Sequence, residues 1–246
     1  MKKVIIIGAS SGIGEGLACR YASQGCKVGI AARREDRLRN IAEMYPGAIV
    51  YKAGDVTREG VPGGIFRALE QQLGGVDLVI YASGAGEQNT ELEIARELNT
   101  VRVNIEGFMA IATEAMDSFF TRKRKPGEMV PQLAVISSIA SVKGLGRATS
   151  YSASKRFQVT YMEGLAQLAH KRRVKISFTT ILPGFVDTDF IKGSTYPMVM
   201  SREYAIRCVF KAIEARKAYK IIDWKWSLVV AAWRLVPGFI WRRIRL

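Results

Sequence analysis

The sequence predicts a doubly wound α/β domain, with a parallel sheet of about seven strands and helices on both faces. Three observations predict it. Short unbroken aliphatic runs recur along the chain, as strands buried on both faces require. Helical stretches alternate with them, which implies βαβ units. The chain has 246 residues, enough for one such domain with a sizeable core and tight for two.

The first run, "KVIII" at 3–7, reads as a buried strand. A helix follows, with Ile13, Leu17 and Tyr21 at i, i+4 and i+8, and Gly25 stands where a helix stop belongs. "KVGIAA" (27–32) reads as the second strand, "REDRLRNIAEMY" (34–45) as an amphipathic helix and "AIVYKA" (48–53) as the third strand. The strand signature repeats at 76–82, 132–138 and 174–182, with helical stretches near 88–122 and 151–171. A last helix is expected from a Ser201 cap to about Tyr219. "RKRKPGE" (122–128) reads as a surface loop. There is no internal repeat of solenoid length, and no linker-like stretch divides the chain.

Composition narrows the function. Cys19, Cys26 and Cys208 fit neither a disulfide framework nor zinc spacing, which points to a reducing, cytoplasmic setting. The single histidine, His170, excludes sites that need two and lies in a basic run that reads as a solvated helix end. The apolar stretch after Lys2 and Lys3 is too short for a signal peptide. The net charge of +15 suggests an anionic ligand, acidic lipid or nucleic acid, and no nucleic-acid motif is present.

The first strand runs into "GASSGIG". Gly8 permits a tight exit, Gly12 and Gly14 let backbone approach a pyrophosphate, and the opening helix aims its N–H groups at the anion. Ser10 and Ser11 can donate to phosphate. A glycine turn placed between first strand and first helix is a dinucleotide signal. At the end of the second strand, Ala32 stands where an acid would bind the ribose of NAD, and Arg33 and Arg34 follow. That favours NADP(H), with NAD(H) as the alternative.

These motifs, with Asp55 in "GDV", Asn104 in "VNIEG", Ser138 in "ISSIAS", "YSASK" (151–155) and "PGFVDT" (183–188), come in the order of a known family. Over roughly residues 2–223 the chain resembles the compact, single-domain short-chain dehydrogenases/reductases, which have a Rossmann fold. The resemblance implies an oxidoreductase acting on carbonyl or alcohol small molecules, assembled as a homo-oligomer (dimer or tetramer). It implies Tyr151 as general acid or base, Lys155 as its charged neighbour and ribose ligand, Ser138 as the group polarising the carbonyl, and Asn104 as holder of a water for proton resupply. It further implies cofactor contacts at Gly8, Ser10, Ser11, Gly12, Ile13 and Gly14, and at Asp55 and Val56 beside adenine. Pro183, Gly184, Val186 and Thr188 are expected about the nicotinamide. Tyr81-Ala82-Ser83-Gly84 replaces the usual Asn-Asn-Ala-Gly; Ala82, Ser83 and Gly84 keep the backbone path and lose the asparagine contacts. Ser141 replaces a usual glycine.

The rival readings are an epimerase of the extended branch, whose glycine spacing and longer C-terminal domain are absent here, and an NADPH-binding regulator without turnover. The segment "DFIKGSTYPMVM" (189–200) is expected to be a lid, whose Phe190, Ile191, Tyr196, Met198, Val199 and Met200 suit an apolar ketone. The tail, 224–246, holds all four tryptophans and Lys225, Arg234, Arg242, Arg243 and Arg245. Arg234 and Pro237 interrupt it, so the expectation is a segment lying in an anionic membrane interface on the cytoplasmic side, separable from a domain of residues 1–223.

Overall fold

The computed structural model describes residues 1–123, 125, 127–191 and 196–244. Seven parallel strands form one sheet in the order β3-β2-β1-β4-β5-β6-β7. The strands are β1 (Lys3–Ile7), β2 (Lys27–Ala32), β3 (Ile49–Ala53), β4 (Leu78–Tyr81), β5 (Gln132–Ile136), β6 (Ser177–Pro183) and β7 (Tyr219–Ile222). Chain order reverses between β1 and β4, which opens a crevice at their carboxyl ends.

Alternation within β1 builds the two cores. Val4 and Ile6 face one side, packed with Leu17 and Tyr21 of α1 (Gly12–Ser23), Leu38 of α2 (Glu35–Met44) and Val209 of α7 (Arg202–Glu214). Ile5 and Ile7 face the other, with Phe66 of α3 (Val61–Leu73), Ile111 of α5 (Phe108–Thr121) and Leu165 of α6 (Thr149–Lys171). Gly25 ends the first helical segment at φ 76°, and the Ser201 hydroxyl caps α7 by accepting from the Tyr204 N–H at 3.3 Å. His170 is exposed in the last turn of α6.

Four elements depart from the sequence expectations. The helix expected up to Tyr219 stops at Glu214, because Arg216 adopts a left-handed conformation (φ 51°), and residues 219–222 become the edge strand β7. Helix α3 has no counterpart among the expected helices; its start, Gly60-Val61-Pro62-Gly63-Gly64, carries turn residues, and Pro62 is tolerated only because it lies in the first turn. The stretch at 88–122 is not one helix. It is α4 (Ile94–Val101), a π-helical turn at Arg102–Gly107 and α5. Of the loop expected at 122–128, Arg124 and Pro126 lie outside the described residues.

The tail forms α8 (Trp224–Leu235) and α9 (Gly238–Trp241). Trp226 is 3% exposed and Val230 fully buried, both within the first core. The expected boundary at residue 223 therefore falls on the N-cap of α8, not between a finished core and a loose tail. Arg245 lies outside the described residues.

Candidate active site

Gly8 leaves β1 at φ 90°, and both its N–H and that of Ala9 donate to Ala31 O, at 2.7 and 3.2 Å. A Cβ on Gly8 would fall on the backbone of Ser83, and one on Gly14 would fall on Gly8 O. Only glycine lets these three segments close up. Gly12 turns at φ 62°, and α1 begins there. Ser11 is its N-cap residue yet makes no side-chain cap. Its hydroxyl instead accepts from Arg34 Nη2 at 2.7 Å, while Arg34 Nε and Nη2 reach Ser10 Oγ at 3.2 and 2.9 Å. The start of α1 so combines uncapped N–H groups, two hydroxyls and a guanidinium, a donor set suited to phosphate. A dinucleotide fits this cradle.

Arg33 is exposed and bears instead on Asp55. Burial pushes the Asp55 carboxyl up, but Thr57 N–H and Oγ1 donate to it at 3.0 and 2.9 Å, and with Arg33 and Arg58 nearby it is held below the usual range. Val56 is buried in the second core, where a Cβ on Gly107 would meet its side chain. Ile13 is half-buried against the first core.

Tyr151 and Lys155 share one face of α6, with the Lys155 Nζ 5.8 Å from the Tyr151 ring centroid. The Ser138 hydroxyl bears on the Tyr151 phenol and acts to lower its pKa. Ser138 ends the segment after β5 and also caps a short 3₁₀ turn, accepting from Ala140 N–H at 3.1 Å. Lys155 is 3% exposed. Its Nζ donates to Ile136 O at 3.0 Å and Gln158 Oε1 at 3.2 Å. Burial takes the Lys155 pKa down to about 7. Burial also pushes the Tyr151 phenol up to about 12, against the Ser138 hydroxyl. The sequence-based expectation that Lys155 lowers the phenol is thus outweighed, in the protein alone, by the loss of water around both groups.

Asn104 sits fully buried in the π-helical turn. Its Oδ1 accepts from Ala85 N–H at 2.9 Å and its Nδ2 donates to Ala85 O at 2.7 Å and Ser154 Oγ at 2.9 Å. It thereby pins the loop after β4 to α6. Tyr81, where the family has asparagine, donates its hydroxyl to Val103 O at 2.5 Å and supports the same turn. A Cβ on Gly84 would sit 3.5 Å from Lys155 Nζ, and Ala82 packs on the first core. Gly86 is required for a reason outside the sequence reading: a Cβ there would lie in the Tyr151 ring.

Pro183 closes β6. Gly184 abuts Trp226, Val186 bridges to Met200, and Thr188 Cγ2 would lie 3.5 Å from a Cβ on Gly12. This segment therefore lies across the glycine turn. Beyond it Phe190 packs on Tyr151, with ring centroids 5.7 Å apart, and Tyr196 stacks on Phe185 at 4.1 Å. Met200 is buried; Phe190, Met198 and Val199 stay exposed. Residues 192–195 of the expected lid lie outside the described residues. Sequence reading also missed Arg202, which donates to Gly12 O at 3.2 Å and pairs with Glu15 at 2.7 Å. It missed Gln158 as well, although one helical turn from Lys155 was a usable signal.

Comparison with known proteins agrees with this geometry. The short chain dehydrogenase family matches residues 2–197. An uncharacterized oxidoreductase of Myxococcus xanthus is 30% identical, over 96% of this chain and 93% of that one. One from Mycobacterium tuberculosis is 29% identical, over 98% and 96%. In fold the chain resembles a 3-ketoacyl-(acyl-carrier-protein) reductase from Brucella melitensis solved with NADH (TM-score 0.80, 22% identity, 90% and 96% covered). A short-chain type dehydrogenase/reductase from Mycobacterium ulcerans gives a TM-score of 0.78 at 22% identity, with 92% and 90% covered. With its parallel sheet, glycine turn and matched family sequence, the chain belongs to the short chain dehydrogenase family and is an NAD(P)-dependent oxidoreductase.

Proposed function

We propose that the chain is an NADPH-dependent carbonyl reductase, transferring a hydride between nicotinamide and a ketone or secondary alcohol of apolar, lipid-like character. The observation that carries this reading is the Tyr151 ring 5.8 Å from the Nζ of a buried Lys155, with the Ser138 hydroxyl bearing on the phenol, beside the same crevice as the glycine turn. The bound cofactor supplies the hydride to the carbonyl carbon. Ser138 donates to the carbonyl oxygen and orients it. Tyr151, whose raised pKa keeps it protonated at neutral pH, transfers its proton to that oxygen as the hydride arrives at carbon. Lys155 offers positive charge to the resulting tyrosinate and a hydrogen bond to the nicotinamide ribose. Asn104 holds the Ala85 backbone beside them. Pro183, Gly184, Val186 and Thr188 shape the nicotinamide pocket, and Arg34 with Ser10 and Ser11, together with Arg33, favours NADPH. Phe190 on Tyr151 and Tyr196 on Phe185 give the substrate side an aromatic wall.

Turnover of NADPH against a panel of carbonyl compounds tests the reading. Tyr151→Phe should lose activity by about 10²–10⁴-fold while NADPH still binds. Retention of more than about a tenth of the rate would rule out Tyr151 as the acid. No turnover of any carbonyl by the wild type, with NADPH bound, would favour the non-catalytic regulator.

The same proposal places the protein in the cytoplasm, as a dimer or tetramer, with α8 and α9 against anionic membrane. Trp224, Leu228, Leu235, Phe239, Ile240 and Ile244 are exposed there, among Lys225, Arg234, Arg242 and Arg243 and with no acid after Asp223. Among the described residues no helix is long and apolar enough to cross a membrane. Trp226 belongs to the core and takes no part in this surface.

A further inference from the structure

Gln158 is fully buried and lies on α6 one turn beyond Lys155. Its Oε1 accepts from Lys155 Nζ at 3.2 Å, and its Nε2 donates to Asn104 O at 3.0 Å. Only one orientation of the amide works. Flipped, it would set NH₂ against the ammonium and one carbonyl against another. The Asn104 side chain is engaged by Ala85 and Ser154, and its main-chain carbonyl accepts from Gln158. Lys155 has three N–H donors. Ile136 O and Gln158 Oε1 take two, which leaves one for a ribose hydroxyl.

We propose that Gln158 is the positioning residue for Lys155: it holds the ammonium in place and favours its protonated form. The inference rests on the reading of Tyr151 and Lys155 as the catalytic pair. The groups facing Lys155 from the elements packed around it are Ile136 O of β5, Gly84 after β4, Asn104 of the π-helical turn and the Tyr151 ring. None of these carries a charge at neutral pH, and burial is what lowers the lysine's pKa. An acceptor at position 158 therefore controls the lysine's titration.

The test compares wild type, Gln158→Leu and Gln158→Glu. The readouts are the pH profile of kcat and the Lys155 side-chain NMR shift in ¹³C-lysine-labelled protein, assigned with Lys155→Arg. Loss of one charge-assisted acceptor should move the lysine's titration down by about one pH unit or more. A carboxylate should move it up, and the alkaline limb of kcat should follow in both cases. NADPH binding by fluorescence checks that each variant is folded; Gln158→Glu, which keeps the size and the acceptor, serves if Gln158→Leu does not fold. Opposite shifts in the two variants support the proposal. An unmoved Lys155 titration in a folded variant overturns it, whatever happens to the rate. If Lys155 titrates as proposed while the kcat profile stays fixed, Gln158 positions the lysine and it is the catalytic reading of Lys155 that fails.

Discussion

The indole of Trp226 packs directly on Gly184, where any Cβ would fall on the ring. Phe185 next to it meets the same indole edge-on at 5.4 Å and stacks on Tyr196 of the lid on its other side. Helix α8 therefore supports the turn proposed to shape the cofactor pocket. Trp226→Ala should lower stability by about 3–5 kcal/mol, as large aromatic deletions in a core do. Gly184→Ala should weaken NADPH binding at a smaller cost in stability. Denaturant unfolding and cofactor titration measure the two. An unchanged unfolding midpoint in Trp226→Ala would mean that α8 is separable after all.

Arg34 rests on Ser10 and Ser11, whereas Arg33 lies nearer Asp55. Losing one charge-assisted hydrogen bond to a 2′-phosphate is worth about 1.5–3 kcal/mol. Arg34→Ala should thus weaken NADPH about ten- to a hundred-fold, Arg33→Ala should act in the same direction, and NADH should change little in either. Ala32→Asp should move preference toward NADH. Titrations with both cofactors check this; equal weakening of NADPH and NADH would remove these arginines from cofactor choice.

The buried lysine makes stability depend on pH. The Lys155 pKa is depressed to about 7 in the folded chain from an ordinary 10.5. Below about pH 7 both states carry the proton and the folded state bears the full desolvation cost. Between about 7 and 10.5 the unfolded chain binds more protons, so this group's contribution to stability rises with pH. Tyr151, raised to about 12 from 10, acts oppositely, and only above about pH 10. Lys155→Met should accordingly gain most over wild type near pH 6, with the gain shrinking toward pH 9.5. Thermal unfolding across that range reads the difference, and a constant gap between the two proteins would contradict the depressed lysine.

Full-length protein should cosediment with vesicles containing phosphatidylserine and be released by high salt, since surface basic residues each add about 1 kcal/mol of screened attraction. Phe239→Glu with Leu235→Glu should abolish sedimentation and leave turnover of a water-soluble ketone near wild type, because both side chains are exposed. Equal sedimentation of the two proteins, or none from wild type, would assign this face to something other than lipid.

Much of the architecture was legible because it is local. Aliphatic runs such as Val4–Ile7 name a doubly buried strand whatever surrounds them, and a glycine turn between strand and helix states its own geometry. Helix α3 was hidden by the glycines and proline at its start, and β7 by a basic segment whose strand character comes from pairing with β6. The π-helical turn at Asn104 left no periodic trace in the sequence, although its residues were identified by motif.

By itself the sequence determined the sheet's class and the glycine turn, which rest on residue type and short spacing, and resemblance to a family pointed to Ser138, Tyr151 and Lys155. Only the tertiary structure decided which long-range neighbours those residues meet. It placed Arg34 over the two serines, the Gln158 amide between Lys155 and the Asn104 carbonyl, and Trp226 against Gly184. The contacts to Ser10 and Ser11, to the Asn104 carbonyl and to Gly184 join residues from separate elements, and burial, which no local spacing encodes, is what displaced the pKa values of Tyr151 and Lys155.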